Sequence, residues 1–319
     1  SMVLLKNEAE ALPLNQDLES IAVIGPNADN KDIILGNYHG TPTDYITPLR
    51  GIREKVSEDT RVYYTEGCDL TSTDTTHWGD DAAKGFSEAI SMAERSDVIV
   101  MCMGLSPALE GEEGVVAASD GGGDRSSLDL PGMQQELLQA IVNTGKSVIL
   151  VLFNGSPVSI NWSQKNLSAI LEAWYPGEQG GNAIADILFG DYNPEGHLPI
   201  TFPRHSGQLP VYYNYLPSKA YWLKRFDTSY VDMPASPLFE FGYGLSYTSF
   251  EYTNLKITPE ETGPAGNVQI SLDVENTGKR TGKEGIQLYI NDVISSMSTP
   301  VKELKGFEKI NLAPNDKKT

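Results

Sequence analysis

A chain of 319 residues is long enough for two domains of ordinary size, each with its own core. Acidic residues outnumber basic ones by 43 to 24, and the formal net charge of -19 argues against nucleic acid and anionic membranes as partners, since both need basic patches. Two cysteines, Cys68 and Cys102, make no disulfide framework, and no apolar run reaches the length of a membrane span.

Val3 to Leu14 opens the chain as an edge element ending at Pro13, and Ile21 to Ile24 is a short buried strand closed by Gly25-Pro26. The glycine there lacks the two companions of a dinucleotide fingerprint. Thr47-Pro48-Leu49 starts a short helix with Pro48 in its first turn, and Arg61 to Tyr64 is the next strand. Ala82, Phe86, Ala89, Ile90 and Ala93 recur at helical spacing and lead into Asp97 to Gly104. That run is short, apolar and rich in β-branched residues, which predicts a strand covered on both faces. A second helix follows, with Pro131 in its first turn, Met133, Leu137, Leu138, Ile141 and Val142 on its apolar face, and Gly145 at its end. Ser147 to Phe153 and Ile170 to Trp174 are strand-like, and Asn182 to Phe189 is helical. Strands alternate with helices throughout, so residues 1–210 are expected to be an α/β domain, a mostly parallel sheet sandwiched by helices.

After Pro210 the texture changes. Tyr212, Tyr213, Tyr215, Tyr221, Trp222 and Tyr230 crowd a stretch with no sustained period, so 211–240 is expected to be an ordered aromatic linker whose rings pack in a domain seam. Beyond it Val268, Ile270, Leu272 and Val274 alternate, Asn276-Thr277-Gly278 turns, and Ile286, Leu288 and Ile290 alternate again. Residues 241–319 therefore predict a small antiparallel β-sandwich.

Open α/β sheets keep their ligands at the carboxyl ends of their strands, which singles out the loop after Gly104. It carries Glu110, Glu112 and Glu113, and then Gly123-Asp124-Arg125. Clustered carboxylates raise one another's pKa and so favour a protonated member, the makings of a general acid; the competing account is a solvated acidic loop. No metal and no cofactor is expected: His39, His77, His197 and His205 are scattered, and neither cysteine has a near partner. Asp120 and Asp124 around three glycines read as a loop rather than a calcium site, and Asn154-Gly155-Ser156 is not a nucleophile elbow.

The ordered set of motifs resembles glycoside hydrolase family 3, the β-glucosidase and β-xylosidase group. The residues carrying the likeness are Leu4-Leu5-Lys6-Asn7, Ala22-Val23-Ile24-Gly25-Pro26-Asn27-Ala28, Gly123-Asp124-Arg125 with Leu130-Pro131-Gly132, Trp174-Tyr175-Pro176-Gly177, Leu188-Phe189-Gly190-Asp191 and Phe241-Gly242-Tyr243-Gly244-Leu245-Ser246-Tyr247. The resemblance implies a barrel domain of the same protein ahead of Ser1, carrying an aspartate nucleophile, with a secretory or periplasmic leader further upstream. It also implies that the β-sandwich is the family's fibronectin type III-like module, with strands still owing after Thr319. The acid/base glutamate is then in the loop after Gly104. Counting forward from the strand end favours Glu112, then Glu110, then Glu113, while Asp124 and Arg125 are expected to pair, fix the base of the loop and help bind substrate. A terminal β-xyloside or β-glucoside of an oligosaccharide is the expected substrate, and the chain by itself is expected to be inactive. The alternative from another class is a non-catalytic carbohydrate-binding module whose acids only bind sugar hydroxyls.

Overall fold

The computed structural model describes residues 1–73, 85–110, 125–216 and 233–319. Six strands, β1 (Val3–Asn7), β2 (Ser20–Ile24), β3 (Arg61–Thr65), β4 (Val98–Gly104), β5 (Ser147–Phe153) and β6 (Ala169–Glu172), form one sheet in the order β1-β6-β5-β4-β2-β3. Every neighbouring pair is parallel except β1 with β6. The helices α1 (Pro48–Lys55), α2 (Phe86–Glu94), α3 (Gln134–Val142) and α4 (Asn161–Asn166) connect the parallel strands, and α5 (Gly180–Leu188) follows β6.

The two-faced burial expected of Asp97 to Gly104 is what the sheet shows from Val98 onward, Asp97 being exposed just before the strand. On β4, Ile99, Met101 and Met103 face one core with Ala89 and Ala93 of α2 and Leu137, Leu138 and Ile141 of α3. Val98, Val100 and Cys102 face the other, with Leu49 and Ile52 of α1 and Ile184, Ala185 and Leu188 of α5. Full burial of such a side chain is worth about 1.5–3 kcal/mol before the entropy of ordering it, so these central strands are the main source of stability. Both cysteines are buried and unpaired.

One local expectation needs correction, and one element was not foreseen. Pro131 is not in the first turn of α3, because Gly132 adopts φ +62 and the helix begins only at Gln134. The late start has a use: the buried side chain of Gln134 accepts from the backbone N–H of Gly104 at 2.8 Å and donates to its carbonyl at 2.9 Å, gripping the end of β4. The short helix α4, Asn-Trp-Ser-Gln-Lys-Asn, has no apolar period and was not legible in the sequence.

The edge strand β1 is capped. Leu245 lies antiparallel to Leu4, its N–H donating to the Leu4 carbonyl at 2.9 Å. The C-terminal strands are β7 (Phe250–Thr258), β8 (Gln269–Asn276), β9 (Gly282–Ile290), β10 (Glu303–Leu312) and β11 (Lys317–Lys318). They make two antiparallel sheets, β11-β8-β7 and β10-β9. The turn at Asn276-Thr277-Gly278 thus carries the chain from one sheet to the other and does not close a hairpin. Asn276, fully buried, fixes it by donating to the carbonyls of Arg280 at 2.8 Å and Leu312 at 3.0 Å.

The aromatic stretch is mixed. Tyr213 stacks on Phe241 with centroids 4.4 Å apart and meets Tyr289 of β9 edge-on, as a seam residue should. Tyr212 is 68% exposed, against expectation, and takes no part in that stack. Tyr221, Trp222 and Tyr230 lie outside the described residues.

Candidate active site

The parallel strands β4, β5 and β6 end side by side, and the segments leaving them converge. Gly104 leaves β4 at φ +138, and a Cβ there would lie 2.1 Å from the carbonyl oxygen of Phe153, so only glycine lets the two strand ends come this close. The exit is held by Leu105 N–H on the Phe153 carbonyl at 2.6 Å and by the buried Asn27 amide on the Leu105 carbonyl at 3.1 Å. A turn from Ser106 to Leu109 then delivers Glu110 to the ends of β5 and β6.

Glu110 is gripped by four donors. Its Oε2 accepts from the Gly155 N–H at 2.7 Å and from the Tyr175 hydroxyl; its Oε1 accepts from the Ser156 N–H at 2.8 Å and from the Ser156 hydroxyl. Gly155 and Ser156 follow β5, and Tyr175 follows β6. Burial, followed by the charge of Glu110, pushes the Tyr175 phenol well above its ordinary value, so it stays protonated and able to donate.

Arg125 arrives at the same point. Its Nη2 donates to the Ser156 hydroxyl at 3.0 Å and to the Pro157 carbonyl at 2.8 Å. Its buried Nη1 has no hydrogen-bond partner among the described residues. Burial draws the guanidinium below its ordinary value, opposed by the nearby carboxylates of Glu110 and Asp129. A cleft of about 580 Å³ opens beside it, its polar lining including Thr71, Arg125, Ser127 and Asp129.

The structure therefore brings together Glu110 and Arg125 of the residues singled out in the sequence. Glu112, Glu113 and Asp124 lie outside the described residues, and so does any pairing of Asp124 with Arg125. Sequence reasoning missed Ser156 and Tyr175, which take up the Glu110 carboxylate, and it missed Glu172. The last residue of β6, Glu172 is fully buried. Burial pushes its carboxyl up to about 8; its two N–H donors pull the other way, and the charge of Glu110 adds to the rise. The one signal in the sequence was an acid closing an apolar strand, Ala169-Ile170-Leu171-Glu172.

Residues 2–247 match the model of the glycosyl hydrolase family 3 C-terminal domain. The chain belongs to glycoside hydrolase family 3. Residues 284–319 match the fibronectin type III-like domain, in line with the small antiparallel sheets that follow the family 3 domain. Among characterised family 3 proteins, the chain is 41% identical to a β-xylosidase of Formosa agariphila, covering 100% of this chain and 42% of that protein. It is 40% identical to a periplasmic β-glucosidase of Salmonella typhimurium, covering 100% of this chain and 43% of that one. A solved β-glucosidase from Erythrobacter marinus superposes with a TM-score of 0.88 at 40% identity, over 100% of this chain and 43% of its own. The β-glucosidase of Listeria innocua in complex with glucose gives a TM-score of 0.85 at 33% identity, with 100% and 42% covered. The chain thus spans less than half the length of the relatives it matches.

Proposed function

We propose that this chain is the C-terminal part of a retaining, exo-acting β-glycosidase that removes terminal sugars from the non-reducing ends of plant-type oligosaccharides, and that Glu112 is its acid/base. The partner nucleophile in this proposal is an aspartate in a barrel domain of the same protein. A β-xyloside is favoured over a β-glucoside, on the strength of Leu35-Gly36-Asn37-Tyr38, Thr47-Pro48-Leu49 and Leu109-Glu110-Gly111-Glu112-Glu113.

The observation that carries the assignment is how Glu110 is spent. Each of its oxygens accepts from a backbone N–H, which can only donate, and from a hydroxyl besides. A carboxyl held this way has no vacant position from which to deliver a proton to a glycosidic oxygen. It is suited to anchoring, and it anchors the start of the acidic loop at the strand ends. Glu112 follows that anchor by two residues in the chain.

Retention takes two steps. The nucleophile attacks the anomeric carbon while Glu112 gives its proton to the departing oxygen; the resulting carboxylate then takes a proton from the water that cleaves the glycosyl-enzyme. A proton donor alone contributes only about 10²- to 10⁴-fold, so in this proposal the chain without the barrel turns over neither nitrophenyl β-xyloside nor β-glucoside.

The test uses the complete enzyme. Glu112→Gln is expected to slow alkyl glycosides, whose leaving groups need protonation, far more than activated aryl ones, with partial rescue by azide. Glu110→Gln, which sets an amide N–H₂ against a backbone N–H that can only donate, is expected to slow both substrate types alike. Equal losses for Glu112→Gln on both substrates, or the leaving-group dependence appearing in Glu110→Gln instead, would sink the assignment.

A further inference from the structure

We propose that Glu172 is a positioning residue: buried beneath the site, it holds both grips on Glu110, one through Asn154 and Ser156 and the other through the Trp174-Tyr175 turn, and so sets the base of the acidic loop. Its bearing on catalysis rests on the assignment of Glu112; the contacts themselves do not.

The first arm runs through β5. Oε2 of Glu172 accepts from the Asn154 side-chain amide at 3.1 Å, and the same Nδ2 donates to the Ser156 carbonyl at 3.1 Å. Asn154 is fully buried, so Glu172 fixes its orientation and with it the residue whose N–H and hydroxyl both hold Glu110.

The second arm runs through β6. Oε1 of Glu172 accepts from the Trp174 N–H at 2.9 Å. Trp174 sits at φ +59, in the left-handed region that bulky residues seldom enter unless their surroundings impose it. Held there, its ring packs edge-on against Phe202 at 6.0 Å, and the next residue, Tyr175, donates its hydroxyl to Glu110. One carboxyl group therefore serves both arms.

The site asks for this acid in its neutral form. The flanking strands set Val3 of β1 and Leu152 of β5 in register beside Glu172, which supply no countercharge. Lys6, the cation of β1, is committed to the Gln164 carbonyl and to Glu8, while Arg125 and Tyr175 face Glu110. The ionised group that does act on Glu172 is Glu110, of like sign. A protonated Glu172 keeps both arms without adding a second negative charge; an ionised one places that charge under the first in a buried position. Because the folded carboxyl is raised from 4.5 to about 8, its support is complete below pH 4.5 and is lost as pH rises to about 8, with no further loss above.

Amide hydrogen exchange on this chain, followed by NMR from pH 5 to 9, reads the effect directly. The Trp174, Gly155 and Ser156 amides are expected to lose about tenfold in protection for each unit up to pH 8, beyond the intrinsic pH dependence of exchange, and then to level off. The Val23 amide in β2 is the internal control and should not follow them. Glu172→Gln keeps the size and the acceptor toward Trp174 but cannot ionise, so its three amides should show no such fall. Glu172→Ala should lower the protection of Gly155 and Ser156 together with that of Trp174. Constant protection of the wild-type amides from pH 5 to 8 overturns the proposal even should a variant fail to fold. A wild-type fall that survives in Glu172→Gln, a fall shared equally by Val23, or a Glu172→Ala effect confined to Trp174 does so as well. None of these outcomes depends on which glutamate protonates the leaving group.

Discussion

Arg125 and Glu110 meet on a single hydroxyl: Ser156 Oγ accepts from the guanidinium at 3.0 Å and donates to the carboxylate. The two residues stand on either side of the acidic loop in the sequence, so its entry and its exit are tied at one point, to the end of a buried strand. Tying the two flanking residues to one strand end fixes where the chain leaves the sheet and where it returns.

That clip can be weighed. Ser156→Ala keeps the backbone N–H on Glu110 but removes the hydroxyl, leaving a buried guanidinium N–H and a carboxylate oxygen each short of a partner. The expected loss is about 1–3 kcal/mol of unfolding free energy, read by urea denaturation of this chain. An unchanged midpoint and slope would mean that the stems are held elsewhere.

Gly104 is the tightest point in the exit from β4. Adding a methyl there meets the Phe153 carbonyl at 2.1 Å and forces an L-residue into φ +138. The clash is with the Phe153 backbone of β5, and no rotamer change relieves it. Gly104→Ala is expected to cost at least about 3 kcal/mol, or to prevent folding, whereas Gly145→Ala, with nothing within 4 Å of the added Cβ, should cost only the strain of its positive φ. Equal effects at the two positions would contradict the packing described for β4 and β5.

The thiols offer a test of burial. Burial, aided by Asp69 and other nearby acids, pushes Cys68 up to about 12, and complete burial in β4 pushes Cys102 higher still. Since the thiolate is the reactive form, a disulfide reagent at pH 8 should label the native chain about a thousandfold more slowly than the urea-unfolded one. Rapid labelling of one equivalent in the native state would show that Cys68 is open to solvent.

Much of this architecture was legible because it depends on runs of residues. Ser147 to Phe153 and Val98 to Gly104 are apolar, β-branched and bounded by turn residues, and they are strands to within a residue of where the pattern puts them. What escaped depends on neighbours distant in the chain. Helix α4 has no apolar stripe and is held by contacts from afar, Asn161 donating to the Arg204 carbonyl and Lys6 to the Gln164 carbonyl. Glu110 and its neighbours look alike as letters; only Gly155, Ser156 and Tyr175, 45 to 65 residues further on, distinguish it as an anchor. The raised carboxyl of Glu172 is likewise invisible until β1 and β5 have closed around it.

The cap on β1 bears on how the protein is made. Leu4 leaves the ribosome well before the backbone that covers its open edge, which belongs to Leu245. At about 5–20 residues per second, the ribosome needs roughly 12 to 50 seconds to travel from one to the other. Throughout that interval a nascent sheet has β1 exposed as an adhesive border, able to pair with any extended chain nearby. Closure that waits for so distant a segment favours a slow, chaperone-attended birth, and it gives the Phe241 to Tyr247 segment the role of a latch on the edge of the sheet.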